Sequence, residues 1–335
     1  MRAAYSALGV CLAIVVLTIS APAGGYSSAY AWPVKPFGET HPVRSNFGDP
    51  RTLFYGPPTP ATLYEGTGVF SFHNGVDIAA PGGTPVYPVR SGTVTLSEEC
   101  KVFVDSAGDL VFQYWHIVTS VTVGERVVAG TTILGYVRRG YDHVHFAEIR
   151  HRVPVNPLAP GHLTPYDDRT APRVGPIELR VPGTVEELLP ELVRGRVEID
   201  AQAYDYPKPA APGEWATMPT APALVTWHVE RAADGTRVSP EHTAFDVRRR
   251  LPSRQFWLVY ARGTRQNMPT FRKHRYWRQE GVFLFHLGVL DTRPLKDGIY
   301  KLVVTASDIR GNEALARQTL LIYNHHLWPP ESRQA

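Results

Sequence analysis

This chain has very little sulfur. Among 335 residues it holds two cysteines, Cys11 and Cys100, and three methionines. Cys11 lies in an apolar leader, so the exported chain keeps Cys100 alone, and one cysteine closes no internal disulfide. Cys100 is expected to be a small hydrophobe on a strand. Stability must then come from packing and from metal. Membrane-length hydrophobic runs are also absent. Leu8 to Ile19 is apolar for about a dozen residues, short of the ~20 that a spanning helix needs. No other segment reads as a transmembrane helix, so no membrane span is expected in the mature chain. Charge is nearly balanced, 35 basic against 31 acidic residues for a net charge of +4. That is compatible with an anionic partner. No RNP, zinc-finger or helix-turn-helix pattern is present, and no nucleic-acid partner is expected.

Turn formers and ordinary core residues are plentiful. Thirty prolines and 28 glycines favour a β-rich, turn-rich chain. A hydrophobic content of 43% supplies two cores, and the length suggests two domains behind a leader. Arg2, the apolar run and Ala21-Pro22-Ala23 make residues 1–23 a signal peptide. Ala29-Tyr30-Ala31 offers a later cleavage point, and a retained anchor is the alternative. Val10 stands before Cys11 where a lipoprotein signal needs a small residue. Export places the protein in the periplasm, cell envelope or extracellular space.

Residues 50–68 read as a long surface loop. From Val76 to Ile149 the pattern is one of short strands, with Ser106-Ala107-Gly108-Asp109 as a hairpin turn and His143 to Arg150 as one more strand. Such spacing implies an antiparallel sheet folded over into a half-barrel. Residues 161–175 read as a linker within a proline-rich stretch. Beyond it seven strands are expected: Ile177–Val181, Arg196–Ala203, Leu224–Arg231, Gln255–Ala261, Gly281–Leu287, Tyr300–Ser307 and Leu315–Tyr323. They suggest an immunoglobulin-like β-sandwich over 176–325, with a tail at 326–335. Asp308–Asn312 is the turn into the last strand.

The chemistry gathers around His73-Asn74-Gly75-Val76-Asp77, which sets an imidazole and a carboxylate four residues apart. His143-Val144-His145 puts two imidazoles on one face of a strand. His116 ends the run from Phe112 and is expected on the face of Phe112 and Tyr114. A lone histidine among 13 means little. Four imidazoles and one carboxylate in one β domain mean more. Three can hold a zinc with an open fourth position, and two remain for proton transfer and charge stabilisation.

On these residues the segment from Trp32 to Pro160 resembles the LytM/lysostaphin-type zinc endopeptidases of bacterial cell walls. The resemblance is carried by Phe72-His73-Asn74-Gly75-Val76-Asp77-Ile78-Ala79-Ala80-Pro81, Gly83-Thr84-Pro85-Val86, Tyr114-Trp115-His116 and His143-Val144-His145-Phe146, followed by Val155-Asn156-Pro157. It implies that His73, Asp77 and His145 bind one Zn²⁺ per chain, and that His116 and His143 are the catalytic pair, in either order. The implied reaction is hydrolysis of peptide bonds in peptidoglycan. Glu148 lies on the opposite strand face from His145 and is expected to be structural. The loop Arg138–Asp142 is short and lacks the family's usual Thr-Gly-rich segment, which would alter the rim of the groove.

A non-catalytic wall-binding or amidase-activating protein on the same fold is the alternative. The basic run Arg262–Arg278 and Arg248-Arg249-Arg250 read first as solvated loops. As a binding face they would take an anionic wall polymer, and the second domain would otherwise take a protein partner.

Overall fold

The computed structural model describes residues 29–53, 69–267 and 280–325. Residues 1–28, where a signal peptide is expected, the segment 54–68, most of the basic run (268–279) and the tail 326–335 lie outside the described residues. Among the described residues no helix is long and apolar enough to cross a membrane.

The first unit holds β1 (Val43–Ser45), β2 (Pro50–Leu53), β3 (Val69–Phe72), β4 (Val76–Ala79), β5 (Pro85–Val86), β6 (Gly92–Glu98), β7 (Lys101–Ser106), β8 (Leu110–Trp115), β9 (Ile117–Thr119), β10 (Arg126–Val127), β11 (Gly135–Val137), β12 (His143–Arg150) and β13 (Val153–Val155). Its main sheet is antiparallel in the order β1-β4-β12-β8-β7-β6-β10, with β13 on β12. Strand alternation explains it. Val76, Ile78, Val102, Val104, Phe112, Tyr114, Val144 and Phe146 are fully buried. Each stabilises the fold by roughly 1.5–3 kcal/mol. Phe146 stacks on Phe112 at 6.0 Å and tilts against Tyr114 at 5.5 Å. The alternate positions of β4 and β12 carry Asp77, His143 and His145, on the other face.

Two expectations for this unit change. Residues 50–53 are a strand, paired with 69–72, and do not begin a loop. Cys100 is half-buried in the turn between β6 and β7, not on a strand. Its carbonyl accepts the His116 amide at 2.7 Å, so its backbone has the specific task there.

The second unit holds β14 (Arg173–Arg180), β15 (Arg196–Tyr204), β16 (Leu224–Arg231), β17 (His242–Asp246), β18 (Leu284–Asp291), β19 (Gly298–Ser307) and β20 (Glu313–Ile322). They form two antiparallel sheets, β14-β15-β18 and β17-β16-β19-β20. Trp227 Nε1 donates to the Leu287 carbonyl at 2.7 Å, and Phe245 meets Phe285 at 4.9 Å, so the sheets face each other. β17 pairs with β16, where the constant-type immunoglobulin arrangement sets its fourth strand beside the fifth. The strand expected at Gln255–Ala261 is instead a 3-10 turn, Phe256–Leu258. Short apolar runs do not announce their period. Here Phe256 and Tyr260, four apart, both face the first unit. Their rings pack on Phe72 at 5.7 and 5.9 Å.

The units share a buried seam. Tyr260 Oη donates to the Gly48 carbonyl at 2.8 Å, and the Ala221 amide donates to Asp49 Oδ1 at 2.7 Å. Asn156 donates through Nδ2 to Val247 O at 2.8 Å and through its amide to Arg249 O at 3.0 Å. The connecting segment is also held. Trp32 Nε1 donates to Pro165 O at 2.6 Å, and Leu163 pairs with Tyr30.

Candidate metal centre

The pairing register assembles the site. His145 lies opposite Asp77 on one side and Trp115 on the other. His73 follows β3, and the chain re-enters the sheet at Val76. Gly75 permits this, but not through an unusual φ. A Cβ there would lie 2.4 Å from the Phe146 carbonyl and 2.9 Å from the His145 ring. The turn needs a bare α-carbon because it packs directly on β12.

His73 Nε2, His145 Nδ1 and Asp77 Oδ1 form a triangle with sides of 2.8, 3.1 and 3.2 Å. Zinc bonds of 2.0–2.1 Å in a tetrahedron set neighbouring donors about 3.3 Å apart. The triangle is slightly tighter than one tetrahedral face, and two imidazoles with one carboxylate suit zinc. The donor set therefore fits the ion and leaves a fourth position. The supporting bonds agree. His73 Nδ1 faces the Asn46 carbonyl at 2.9 Å, which places its proton there and frees Nε2. Arg51 holds the second Asp77 oxygen at 3.2 Å and donates to Ser45 Oγ at 2.9 Å.

Burial lowers the His73 pKa to about 3, with Arg51 adding to the shift. Burial pushes the Asp77 carboxyl up, but His73, His143 and His145 more than offset this and hold it well below its ordinary value. Both effects keep the donors in the forms a cation needs.

His143 and His116 stand beside this triangle, their rings 4.5 Å apart. The placement of His116 corrects the expectation from alternation. Strict alternation would turn it into the core with Phe112 and Tyr114. Its φ of +67° breaks the pattern just after β8 and swings the ring to the His143 side, stacked on Tyr141 at 4.6 Å. Such backbone is uncommon for a residue with a side chain and gathers at functional sites. Burial lowers the His116 pKa to about 4 and depresses His143 well below its ordinary value.

Arg44 escaped the motif reading. It is a buried cation whose Nη1 donates to Tyr141 O at 3.0 Å and whose Nη2 meets His143 Nε2 at 3.2 Å. The Trp215 ring of the second unit covers its guanidinium at 4.0 Å. A charged residue in the strand Val43-Arg44-Ser45 was the available signal; nothing local points to Trp215. Glu148 is fully buried, accepting from Tyr30 Oη, Arg150 Nε and His162 Nδ1. That bond set fits the structural part expected of it. The groove over the site, 470 Å³, is lined by Arg51, Phe72, Asn74, Trp115 and His116 with the triangle. A larger cavity of 940 Å³ lies between the units beside Arg150 and Arg248–Arg250, away from these groups.

Residues 71–157 match peptidase family M23, and this segment of the chain belongs to that family. The catalytic domain of lysostaphin from Staphylococcus simulans is 23% identical, over 32% of this chain and 80% of that one, with a TM-score of 0.25. A variant of the catalytic domain of the prophage-encoded M23 protein EnpA from Enterococcus faecalis is 25% identical, over 36% and 88%, with a TM-score of 0.25. The SpoIIQ chain of the SpoIIQ–SpoIIIAH pore-forming complex is among structures at 22% identity, over 40% and 90%, with a TM-score of 0.31. No curated protein matches the chain.

Proposed function

We propose that this protein is an exported zinc endopeptidase that hydrolyses peptide bonds of bacterial peptidoglycan. The single observation that carries the reading is the complete set. Three donors have the spacing of one tetrahedral face, and two further imidazoles stand beside it, His116 lining the groove and His143 buried next to it. An inert wall-binding protein would need the triangle at most.

His73 Nε2, Asp77 Oδ1 and His145 Nδ1 hold the ion. When bound, zinc supplies a Lewis acid beside the scissile carbonyl. His143 keeps its Nδ1 proton on Tyr141 O, at 2.8 Å, and presents Nε2 as an acceptor. Arg44 already occupies that lone pair. His116 is therefore the proton acceptor. It takes a proton from the attacking water and returns it to the leaving amine. The Arg44 charge, held in place by the His143 ring, stabilises the developing oxyanion through the field it sets up at the site. Tyr141, stacked on His116 and bonded through its carbonyl to both Arg44 and His143, fixes the pair. The envelope is the working place that this substrate implies. The second unit serves the site by covering Arg44.

Zinc analysis with muropeptide digestion tests the reading, using His145→Ala as control. Stoichiometric zinc with cleavage lost in the variant supports it. Zinc bound but every muropeptide left intact moves the protein to the activator class. No zinc at neutral pH removes the central claim.

A further inference from the structure

A second buried cluster lies where the connecting segment meets the second unit. Asp168 comes from that segment, Asp205 follows β15, and Asp308 opens the β19–β20 turn. Each offers a carboxylate oxygen within 4.8 Å of the others. They are 3%, 1% and 4% exposed. No lysine, arginine or histidine among the described residues pairs with any of them. Three carboxylates taken out of water together are costly unless something electropositive joins them.

Part of the donor capacity is filled. Asp308 accepts from the amides of Arg310 and Asn312 and from Asn312 Nδ2. Asp205 Oδ1 accepts the Tyr206 amide, and Asp168 Oδ1 the Thr170 amide. Asp168 Oδ2 is enclosed and meets no donor at all. Asp205 also faces a 10 Å³ cavity, shared with Asn46 and Tyr166, that Asp168 and Asp308 do not line. Arg310 is turned away, over the Tyr166 ring and onto the Leu158 carbonyl. Burial, with Asp168 and Asp308 adding to it, pushes the Asp205 carboxyl up to about 8.

We propose that Asp168, Asp205 and Asp308 hold one hard divalent cation, Ca²⁺, which ties the connecting segment to the second unit. An all-oxygen set excludes the softer preference of zinc. Two oxygens across one calcium, at about 2.4 Å each, stand up to ~4.8 Å apart. Mg²⁺ keeps several waters, for which carboxylates only 1–4% exposed leave little room. The rival occupant is a shared proton. The cluster stands apart from the zinc reading and does not depend on it.

The test uses the full chain, stripped of metal and then given Ca²⁺, Mg²⁺ or Zn²⁺ separately. Millimolar Ca²⁺ should raise the thermal midpoint by about 5 °C or more, with Mg²⁺ doing less. Asp205→Asn should abolish the Ca²⁺ shift while keeping the response to Zn²⁺. Terbium titration of the unaltered chain, with emission sensitised by nearby Tyr166, should show one site that Ca²⁺ displaces. Asp168→Asn should lose it. No Ca²⁺ shift, an unchanged shift in Asp205→Asn, or no displaceable terbium would overturn the proposal. If Asp205→Asn fails to fold, the terbium titration decides alone.

Discussion

Among the described residues, two clusters of side chains able to ligate a cation, each largely buried, are built in opposite ways. His73, Asp77 and His145 mix nitrogen with oxygen, line an open groove and have two further imidazoles alongside. Asp168, Asp205 and Asp308 are all oxygen, closed to solvent, and among the described residues have no imidazole or nucleophile bonded to them. The first has the form of a reactive centre, the second of a clamp. The difference also shows in the chain. The first cluster comes from two short motifs on adjacent strands, while the second draws single residues from three separated places.

The largest effect should come from His145→Ala. Removing one of three donors should lower zinc affinity enough to leave the chain essentially metal-free, measured by elemental analysis, with cleavage lost in step. The aspartate cluster should keep its Ca²⁺ response, and loss of both together would merge the two sites. His116→Ala comes next. The expected fall in kcat is about 10²–10⁴-fold with zinc retained. In the unaltered protein the acid limb of kcat/KM should lie near pH 4, because burial holds His116 neutral down to about that pH. An acid limb at the ordinary histidine value would remove His116 as the base.

Gly75→Val should cost about 1–3 kcal/mol through overpacking against Phe146 O and the His145 ring. Zinc occupancy should fall without any ligand being touched. Full occupancy would show that the turn can retreat from β12.

A pH series separates the clusters further. The Asp205 carboxyl titrates near 8 in the fold against an ordinary 3.8, so the folded chain holds the extra proton between those values. That contribution is complete below about 3.8 and is lost as the pH rises through about 8. Metal-free protein should therefore lose thermal stability as the pH rises from about 4 to about 8 and level off above that, and Ca²⁺ should flatten the decline. A decline of equal size with Ca²⁺ present would favour the proton as occupant. The smallest effect belongs to Trp215→Ala. Losing the ring over Arg44 should lower kcat by about 3- to 10-fold, with zinc content unchanged and Trp215→Phe restoring most of it. A change in KM alone would place Trp215 on the substrate.

Much of the first unit could be read in advance. The span of β12 and the hairpin at Ser106–Asp109 follow from local pattern, and His143 and His145 share a face because strand side chains alternate. Other parts could not. The run Gln255–Ala261 has the composition of a strand, yet Phe256 and Tyr260 turn together toward the neighbouring unit. Alternation also misplaced His116, because one positive φ reverses the face of a single residue and leaves no mark in composition.

By itself, the sequence pointed to the five side chains that meet at the first site, to the strands on or beside which they stand and, through residues 71–157, to the family. Spacings of two and four residues fix side-chain direction wherever the backbone is extended. Only the tertiary structure decided how His116 turns, that Trp215 covers Arg44, and that Asp168, Asp205 and Asp308 meet. Those contacts join residues tens to more than a hundred positions apart. Over such distances periodicity carries no information, and tertiary packing sets which side chains touch.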